Sequence, residues 1–279
     1  MRIIVAVIVT AVGIAATPVI GTPVSGDDPR VYDVETADFA FRAADTVEAG
    51  YVTIRMANKG PDLHHVALLK LEQGKTLGDL LAASARGPVP RDWYRDVGGP
   101  NVVVPGDTSR AAVSLEPGRY ALVCLVHGPD RVMHVAKGMA KEIVVVPART
   151  ASRAARAARP AVPDAEMTLD DFSFTLSKPL AAGRRVLRVK NAAPQAHEVV
   201  IVQLAPGRTV QDVVAFFLQG EGAPPGRPVG GTTGIAQGGF NDVMLDLKPG
   251  AYGLICFYPD AKDGKPHLAH GMVATITVE

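Results

Sequence analysis

Cysteine is nearly absent from this chain: Cys124 and Cys256 are the only two in 279 residues. A disulfide between them is the plainest use of such a pair in an exported protein. It would need the two Cα atoms to lie within about 6 Å of each other. The cysteines instead occupy matching positions in two halves of the chain, and equivalent positions argue for equivalent jobs. Net charge is also scarce. Lys and Arg total 29 against 28 Asp and Glu, which leaves +1. That balance gives no global pull toward nucleic acid or an anionic membrane, and both are set aside as partners. Beyond the N-terminus, no apolar run is long enough to span a bilayer. No catalytic triad signature is present. Gly74-Lys75-Thr76 is not a phosphate-binding loop, because Leu69 stands where that motif needs its first Gly.

What is present begins with Met1-Arg2, an apolar run from Ile3 to Ala16, then Thr17-Pro18 and the polar Ser25-Gly-Asp-Asp. Charge, apolar core and small residues in that order form an export signal, expected over residues 1–25. The protein is therefore expected to be exported, to a periplasm or outside the cell. An uncleaved anchor is the alternative, because the weakly polar run reaches roughly 19 residues. It would bring an N-terminal or peripheral membrane association. No Cys lies near the signal, which argues against a lipid anchor.

The length fits about two domains, and the sequence is written twice. His64 and His197 are 133 positions apart, Cys124 and Cys256 132, His134 and His267 133, Met139 and Met272 133. The flanks repeat as well. Asn58-Lys-Gly-Pro-Asp-Leu-His64 parallels Asn191-Ala-Ala-Pro-Gln-Ala-His197, and Leu115-Glu-Pro-Gly-Arg-Tyr120 parallels Leu247-Lys-Pro-Gly-Ala-Tyr252. One ancestral unit was copied. The domains are expected at 31–147 and 166–279, joined by an Ala/Arg/Pro linker at 148–165. The linker carries Arg149, Arg153, Arg156 and Arg159. It reads as a solvated connector, with a patch for an acidic partner as the sharper alternative.

Alternating apolar and polar residues over Val31 to Arg42 and Tyr51 to Met56 read as half-buried strands. Further strands are expected at His65 to Leu71, Ala111 to Leu115, Arg119 to Val126 and Ile143 to Val146. A Pro117-Gly118 turn separates two of them. In the second half they are expected at Leu169 to Leu176, Arg185 to Val189, Glu198 to Leu204, Val243 to Leu247, Gly250 to Phe257 and Met272 to Val278. Thr76 with Asp79 is a capping box that opens a short helix, and Thr209 with Asp212 repeats it. The Gly- and Pro-rich stretches Gly87 to Gly106 and Gly220 to Gly239 read as loops. Many short strands separated by turn signals indicate an all-β chain with a β-sandwich in each half.

Each half ends an apolar run in a cysteine, Tyr120-Ala-Leu-Val-Cys124 and Tyr252-Gly-Leu-Ile-Cys256. A loop follows, then a His and, five positions later, a Met: His134 with Met139, and His267 with Met272. His64 and His197 lie far upstream. One thiolate, two imidazoles and a thioether form the ligand set that selects copper in electron-transfer sites. The alternatives are ordinary. A lone His is usually a surface or satisfied core residue, a buried Cys is often a small hydrophobe, and both Met residues fit a plain core. Against this, all seven histidines (His64, His65, His127, His134, His197, His267 and His270) fall in the candidate loops.

On these residues, together with Gly271-Met272-Val and Asn191 to His197, each half resembles a cupredoxin, the plastocyanin-like copper domain. The resemblance covers nearly all of the chain after the export signal. It implies two tandem Greek-key β-sandwiches, each with a short inserted helix. It implies up to two sites cycling between Cu(I) and Cu(II): His64, Cys124, His134 and Met139 in the first half, and His197, Cys256, His267 and Met272 in the second. The thiolate and imidazoles would form a trigonal plane with the Met sulfur long and axial. His127 offers another register, since it follows Cys124 at the short plastocyanin-like spacing with Met133 beyond it. The repeat favours His134, because Pro259 stands at the matching place. His270 has Lys137 as its counterpart and reads as a rim residue. Many cupredoxins carry Asn after the first His, where it helps tie down the Cys loop; here that place holds His65 or Glu198.

Tandem cupredoxin domains invite comparison with nitrite reductases and multicopper oxidases. Those enzymes wire the blue copper to a catalytic centre through a His beside the Cys, and carry His-x-His pairs. Here Val123 and Leu125 flank Cys124, Ile255 and Phe257 flank Cys256, and no His-x-His occurs. The chain is therefore expected to transfer electrons to a redox partner protein, itself unidentified, and not to be an enzyme. Copper buffering or delivery with the same ligands is one alternative. A metal-free β-sandwich for protein interaction is the other.

Overall fold

The computed structural model describes residues 30–148, 162–219 and 223–279. The expected export signal and most of the expected linker lie outside them. Among the described residues, no helix is long and apolar enough to cross a membrane.

The first half opens with β1 (Arg30–Ala37), whose period-2 pattern turns Tyr32, Val34 and Thr36 inward. It continues through β2 (Ala40–Arg42), β3 (Thr46–Glu48), β4 (Gly50–Asn58) and β5 (Ala67–Leu71). Helix α1 (Leu77–Ser84) precedes β6 (Tyr94–Gly98), β7 (Thr108–Leu115), β8 (Gly118–Val123) and β9 (Ala140–Val146). The second half runs β10 (Ala165–Asp170), β11 (Ser173–Leu176), β12 (Gly183–Asn191) and β13 (His197–Leu204). Helix α2 (Val210–Gln219) then leads to β14 (Gly226–Ile235), β15 (Phe240–Leu247), β16 (Gly250–Ile255) and β17 (Val273–Val278). Both helices start at the expected capping boxes. The Thr76 hydroxyl accepts from the Asp79 amide at 3.2 Å, and the Asp79 carboxylate accepts from the Thr76 amide at 2.8 Å. Thr209 and Asp212 make the same pair of bonds at 3.2 and 2.7 Å.

Two sheets run the length of the molecule. One has the order β11-β10-β12-β15-β7-β4-β1-β2, the other β17-β16-β13-β14-β6-β5-β8-β9-β3. Each half supplies one end of both sheets, so the sandwiches are fused edge to edge. At one seam Val243 of β15 pairs with Ala111 of β7, its own repeat mate. At the other, Pro100 pairs with its mate Thr232, and the pairs Val97–Ile235 and Val103–Val229 exchange under the same operation. Residue i meeting j while j meets i is the signature of an isologous two-fold interface. The chain is built as a dimer of its own repeat.

The strands that end in cysteine are buried on both faces, which explains their unbroken apolar runs. Tyr120, Leu122 and Cys124 face the inside of the first sandwich. Ala121 and Val123 face outward beneath Leu77 and Leu80 of α1. Likewise Tyr252, Leu254 and Cys256 point inward, and Ile255 lies under Val210 and Val213 of α2. Each strand is pinned at its start by a tyrosine. The Tyr120 hydroxyl donates to Glu116 O and accepts from its amide, at 2.9 and 3.1 Å. Tyr252 does the same with Lys248, at 2.9 Å in both directions.

The stretches expected as loops differ from that reading. Each contains a seam strand, β6 in 87–106 and β14 in 220–239. Their glycines serve close approach. A Cβ on Gly99 would lie 2.3 Å from Val66 O, and one on Gly231 would lie 2.0 Å from Val199 O. Only a residue without a side chain lets these segments lie against the backbone beside each first histidine.

Candidate metal centres

Strand period, one turn and one short loop assemble each centre. In the first half, His64 sits just before β5, Cys124 just after β8, and His134 opens a 3₁₀ turn that ends at Lys137. Gly138 follows at φ 96°, a left-handed cap that turns the chain so that Met139 faces inward. The loop is tied to the cysteine through backbone: Cys124 N donates to Met139 O at 3.2 Å, Val135 N to Cys124 O at 2.8 Å, and Met139 N to His134 O at 2.9 Å. The second half repeats this with His267, Gly271 at φ 94° and Met272. Cys256 N donates to Met272 O at 3.2 Å, and Met272 N to His267 O at 3.1 Å.

One sulfur and two imidazole nitrogens converge in each half, within 4.8 Å of one another: His64, Cys124 and His134, and His197, Cys256 and His267. Cys124 Sγ is 3.9 Å from His64 Nδ1 and 3.6 Å from His134 Nδ1, and the two Nδ1 atoms are 3.1 Å apart. Cys256 Sγ is 3.9 Å from His197 Nδ1 and 3.4 Å from His267 Nδ1. All six residues are buried at 0% exposure, as are Met139 and Met272, which share the core clusters of their cysteines. Both cysteines are free thiols, so they do not pair with each other.

The far side of each upstream histidine fixes its tautomer. His64 Nε2 lies 2.7 Å from Asp38 Oδ1, and His197 Nε2 lies 2.8 Å from Asp171 Oδ1. A carboxylate only accepts, so Nε2 carries a hydrogen and Nδ1 is the ring nitrogen turned toward the sulfur. Burial, then the neighbouring histidine, holds His134 below the usual imidazole range and takes His267 to about 4. Burial pushes the Cys124 thiol up to about 11 and the Cys256 thiol higher still, the second with help from Glu198. Without metal the centres therefore hold protonated thiols, and His134 and His267 are neutral. Electron-pair donors 3.1 to 3.9 Å apart repel one another unless a proton or a metal ion lies between them. A soft sulfur with two imidazoles fits copper.

The residue after each upstream histidine holds the chain beside the cysteine. His65 Nε2 accepts from the Leu125 amide at 2.8 Å, and Glu198 Oε1 accepts from the Phe257 amide at 3.2 Å. Two unlike side chains thus do one job. Burial takes His65 down to about 4 and Glu198 up to about 7.

The structure separates the remaining histidines from the clusters. His127 is exposed and bridges Met133 across the loop, so the His134 register is the one that meets Cys124. His270 lies at the rim, with Nε2 3.2 Å from Asp263 and its ring 4.9 Å from that of Phe172. Sequence reasoning missed four residues. Asp38 and Asp171 hold the upstream histidines, and Phe39 and Phe172 cover the others, with ring centroids 4.9 Å from His134 and 5.2 Å from His267. The signal was available: Asp38-Phe-Ala-Phe41 and Asp171-Phe-Ser-Phe174 stand 133 positions apart.

No family model matches the chain, and no curated protein matches it. Among solved structures it is similar to reduced auracyanin from Roseiflexus castenholzii, at 20% identity over 41% of this chain and 94% of that one, with a TM-score of 0.30. It is similar to auracyanin A from Chloroflexus aurantiacus, a blue copper protein, at 21% identity over 42% and 99%, with a TM-score of 0.31. It is also similar to the blue copper oxidase from Nitrosomonas europaea, at 17% identity over 90% and 85%, with a TM-score of 0.26. Each half has the cupredoxin fold, an assignment that stands on the chain's own sheet topology and its two His-Cys-His clusters.

Proposed function

We propose that this chain is an exported two-centre copper protein that carries single electrons. One observation carries the reading. In each half a buried thiol and two imidazole nitrogens lie within 4.8 Å of one another, and among the described residues no carboxylate joins either group. His64, Cys124, His134 and Met139 would hold copper in the first half, and His197, Cys256, His267 and Met272 in the second. Copper, when bound, supplies reversible one-electron chemistry between Cu(I) and Cu(II). The protein's part is to keep the donors in place before metal arrives. Asp38 and Asp171 orient the upstream imidazoles, Phe39 and Phe172 cover the downstream ones, and the tied loops hold the cysteines. Because the thiols are protonated in the metal-free state, each loading event releases a proton from Cys124 or Cys256.

Both cysteines are flanked by apolar residues that offer no ligand toward a further centre, so we read the chain as a carrier serving a redox partner protein and not as an enzyme. Buffering or delivery of copper would use the same ligands, and reversible redox cycling separates the two. The test is the visible spectrum after loading with Cu(II) and removal of excess metal. An intense thiolate-to-copper band is expected, with an intensity for two centres per chain. Cys256→Ser is expected to remove the second centre's share while the circular dichroism stays unchanged. A wild-type protein that retains no copper would sink the reading.

A further inference from the structure

The loop between Cys124 and His134 folds back on itself. Gly128 N donates to Val132 O and His134 N to Val126 O, each at 2.9 Å, so His127 and Met133 face each other as a non-hydrogen-bonded cross-strand pair. In such a pair the Cα atoms lie about 4.5 Å apart and both side chains stand on one face. Here it is the outer face: His127 is exposed, and Met133 is 40% exposed. Among the described residues, no hydrogen bond or ring contact occupies the His127 imidazole. The second half makes the same turn, with Asp260 N donating to Lys265 O at 2.8 Å and His267 N to Tyr258 O at 2.9 Å. Its facing pair is Pro259 and Pro266. Prolines fit there because the ladder does not use the N–H of either paired residue, and their fixed φ stiffens the turn. The first half gives up that stiffness and sets an imidazole beside a thioether. The pair also adjoins the first centre. Gly128, next to His127, packs on the outer edge of His134: a Cβ there would lie 3.5 Å from His134 Nε2, a buried nitrogen without a hydrogen-bond partner. Lys137, the cation beside Gly128, is held by Asp130 at 2.8 Å.

We infer that His127 and Met133 form a surface site for Cu(I), which receives the ion and supplies it to the first centre. An imidazole with a thioether is a soft donor pair, and the thioether selects Cu(I) over Zn(II) and harder ions. Cu(I) is stable with two or three donors, so the pair leaves a position open toward whatever delivers the ion. Copper keeps its oxidation state on passing inward, and Cys124 gives up its thiol proton to solvent as the thiolate takes the metal. The second centre has no such site, because Pro259 and Pro266 offer no donor. Binding at the pair rests on the loop alone, and the supply of the first centre rests on the copper reading.

The experiment uses the full chain and has two arms. In the first, Ag(I), a redox-inert stand-in for Cu(I), is titrated into the double variant Cys124→Ser/Cys256→Ser, and methionine methyl and histidine ring resonances are followed by NMR. The Met133 methyl and the His127 ring are expected to shift together along one saturable curve, and Zn(II) to leave Met133 unmoved. Adding Met133→Leu, which keeps the size and apolarity of the side chain, is expected to abolish the His127 response at the same Ag(I) concentrations with the melting temperature unchanged. In the second arm, Cu(I) is presented as its coloured bicinchoninate complex, and the loss of that colour times the loading of the first centre in a Cys256→Ser background. Loading is expected to slow about tenfold or more in Met133→Leu and in His127→Ala, because a site beside the centre raises the local concentration of the ion. The final amount bound is expected to stay the same. The second centre, timed in Cys124→Ser, is expected to load at one rate with or without Met133→Leu. A Met133 methyl that ignores Ag(I) would overturn the site, and equal loading of the first centre in parent and variants would overturn its supply role. If Met133 responds to Ag(I) but neither cysteine retains copper, the surface site stands and the copper reading falls.

Discussion

At the scale of single residues, chemistry-bearing letters were legible because they are rare. Seven histidines and two cysteines at a fixed repeat offset leave few ways to build a centre, and the structure brings six of the nine together in two clusters. The residues that aim them were harder to see. Asp38 and Asp171 belong to a common residue type, and their role depends on a contact with a histidine 26 positions away. Histidine ligands are commonly oriented by such a partner, whose loss costs about 10- to 100-fold in metal affinity. Asp171→Ala leaves His197 Nε2 without its acceptor and frees the ring to turn or change tautomer. In a Cys124→Ser background, copper affinity at the second centre is expected to fall by that factor while thermal stability without metal stays close to the parent. An unchanged affinity would mean that packing under Phe172 orients the ring by itself.

At the scale of elements, the alternating strands and both capping boxes were visible in the sequence, because they depend on local pattern and local hydrogen bonds. The seam strands were not. Glycine in Gly98-Gly99 and Gly230-Gly231 reads as turn chemistry when neighbours are unknown, yet here it admits a second backbone. The distinction is testable at two positions. Gly231 has φ +125° and a Cβ there would meet Val199 O at 2.0 Å, whereas Gly238 has φ +75° with nothing within 4 Å. Gly238→Ala incurs only the left-handed strain, about 1–2 kcal/mol. Gly231→Ala must also push β13 and β14 apart and disturb the strand that carries His197. It is expected to cost more than about 4 kcal/mol, in the range reserved for a broken core feature. Chemical denaturation of the two metal-free variants compares them directly. Equal losses would mean that the seam tolerates separation at this point.

At the scale of the whole molecule, the repeat foretold two similar halves but not their fusion, since edge-to-edge pairing leaves no local mark in a sequence. The seam is polar as well as apolar. Asp242 of β15 is fully buried between Tyr51 of the first half and Arg188 of the second, whose Nε and Nη2 donate to it at 2.7 and 2.8 Å. Asp96 of β6 accepts from the Tyr258 hydroxyl at 2.7 Å, and burial raises its pKa from 3.8 to about 6. A raised acid holds its proton in the folded state after the unfolded chain has lost it. Its contribution is thus complete below about pH 3.8 and is lost as pH rises through about 6. Asp96→Asn still accepts from Tyr258 and has no proton to lose. Its metal-free stability relative to wild type is expected to improve between about pH 4 and pH 7, read by denaturant unfolding at both. A difference that ignores pH would mean the carboxyl titrates in its ordinary range. The same seam decides whether the halves need their connection. Two continuous sheets, the Tyr51–Asp242–Arg188 cluster and the Arg227–Asp107 ion pair cross it. Each half alone would expose the edges of β7 and β6, or of β15 and β14, with their unpaired backbone groups. A protease site placed within residues 149–161 and then cut is therefore expected to yield two fragments that migrate together under native conditions and separate in denaturant. Native separation into two folded monomers would show that the seam pairs only while the linker holds the halves at high local concentration.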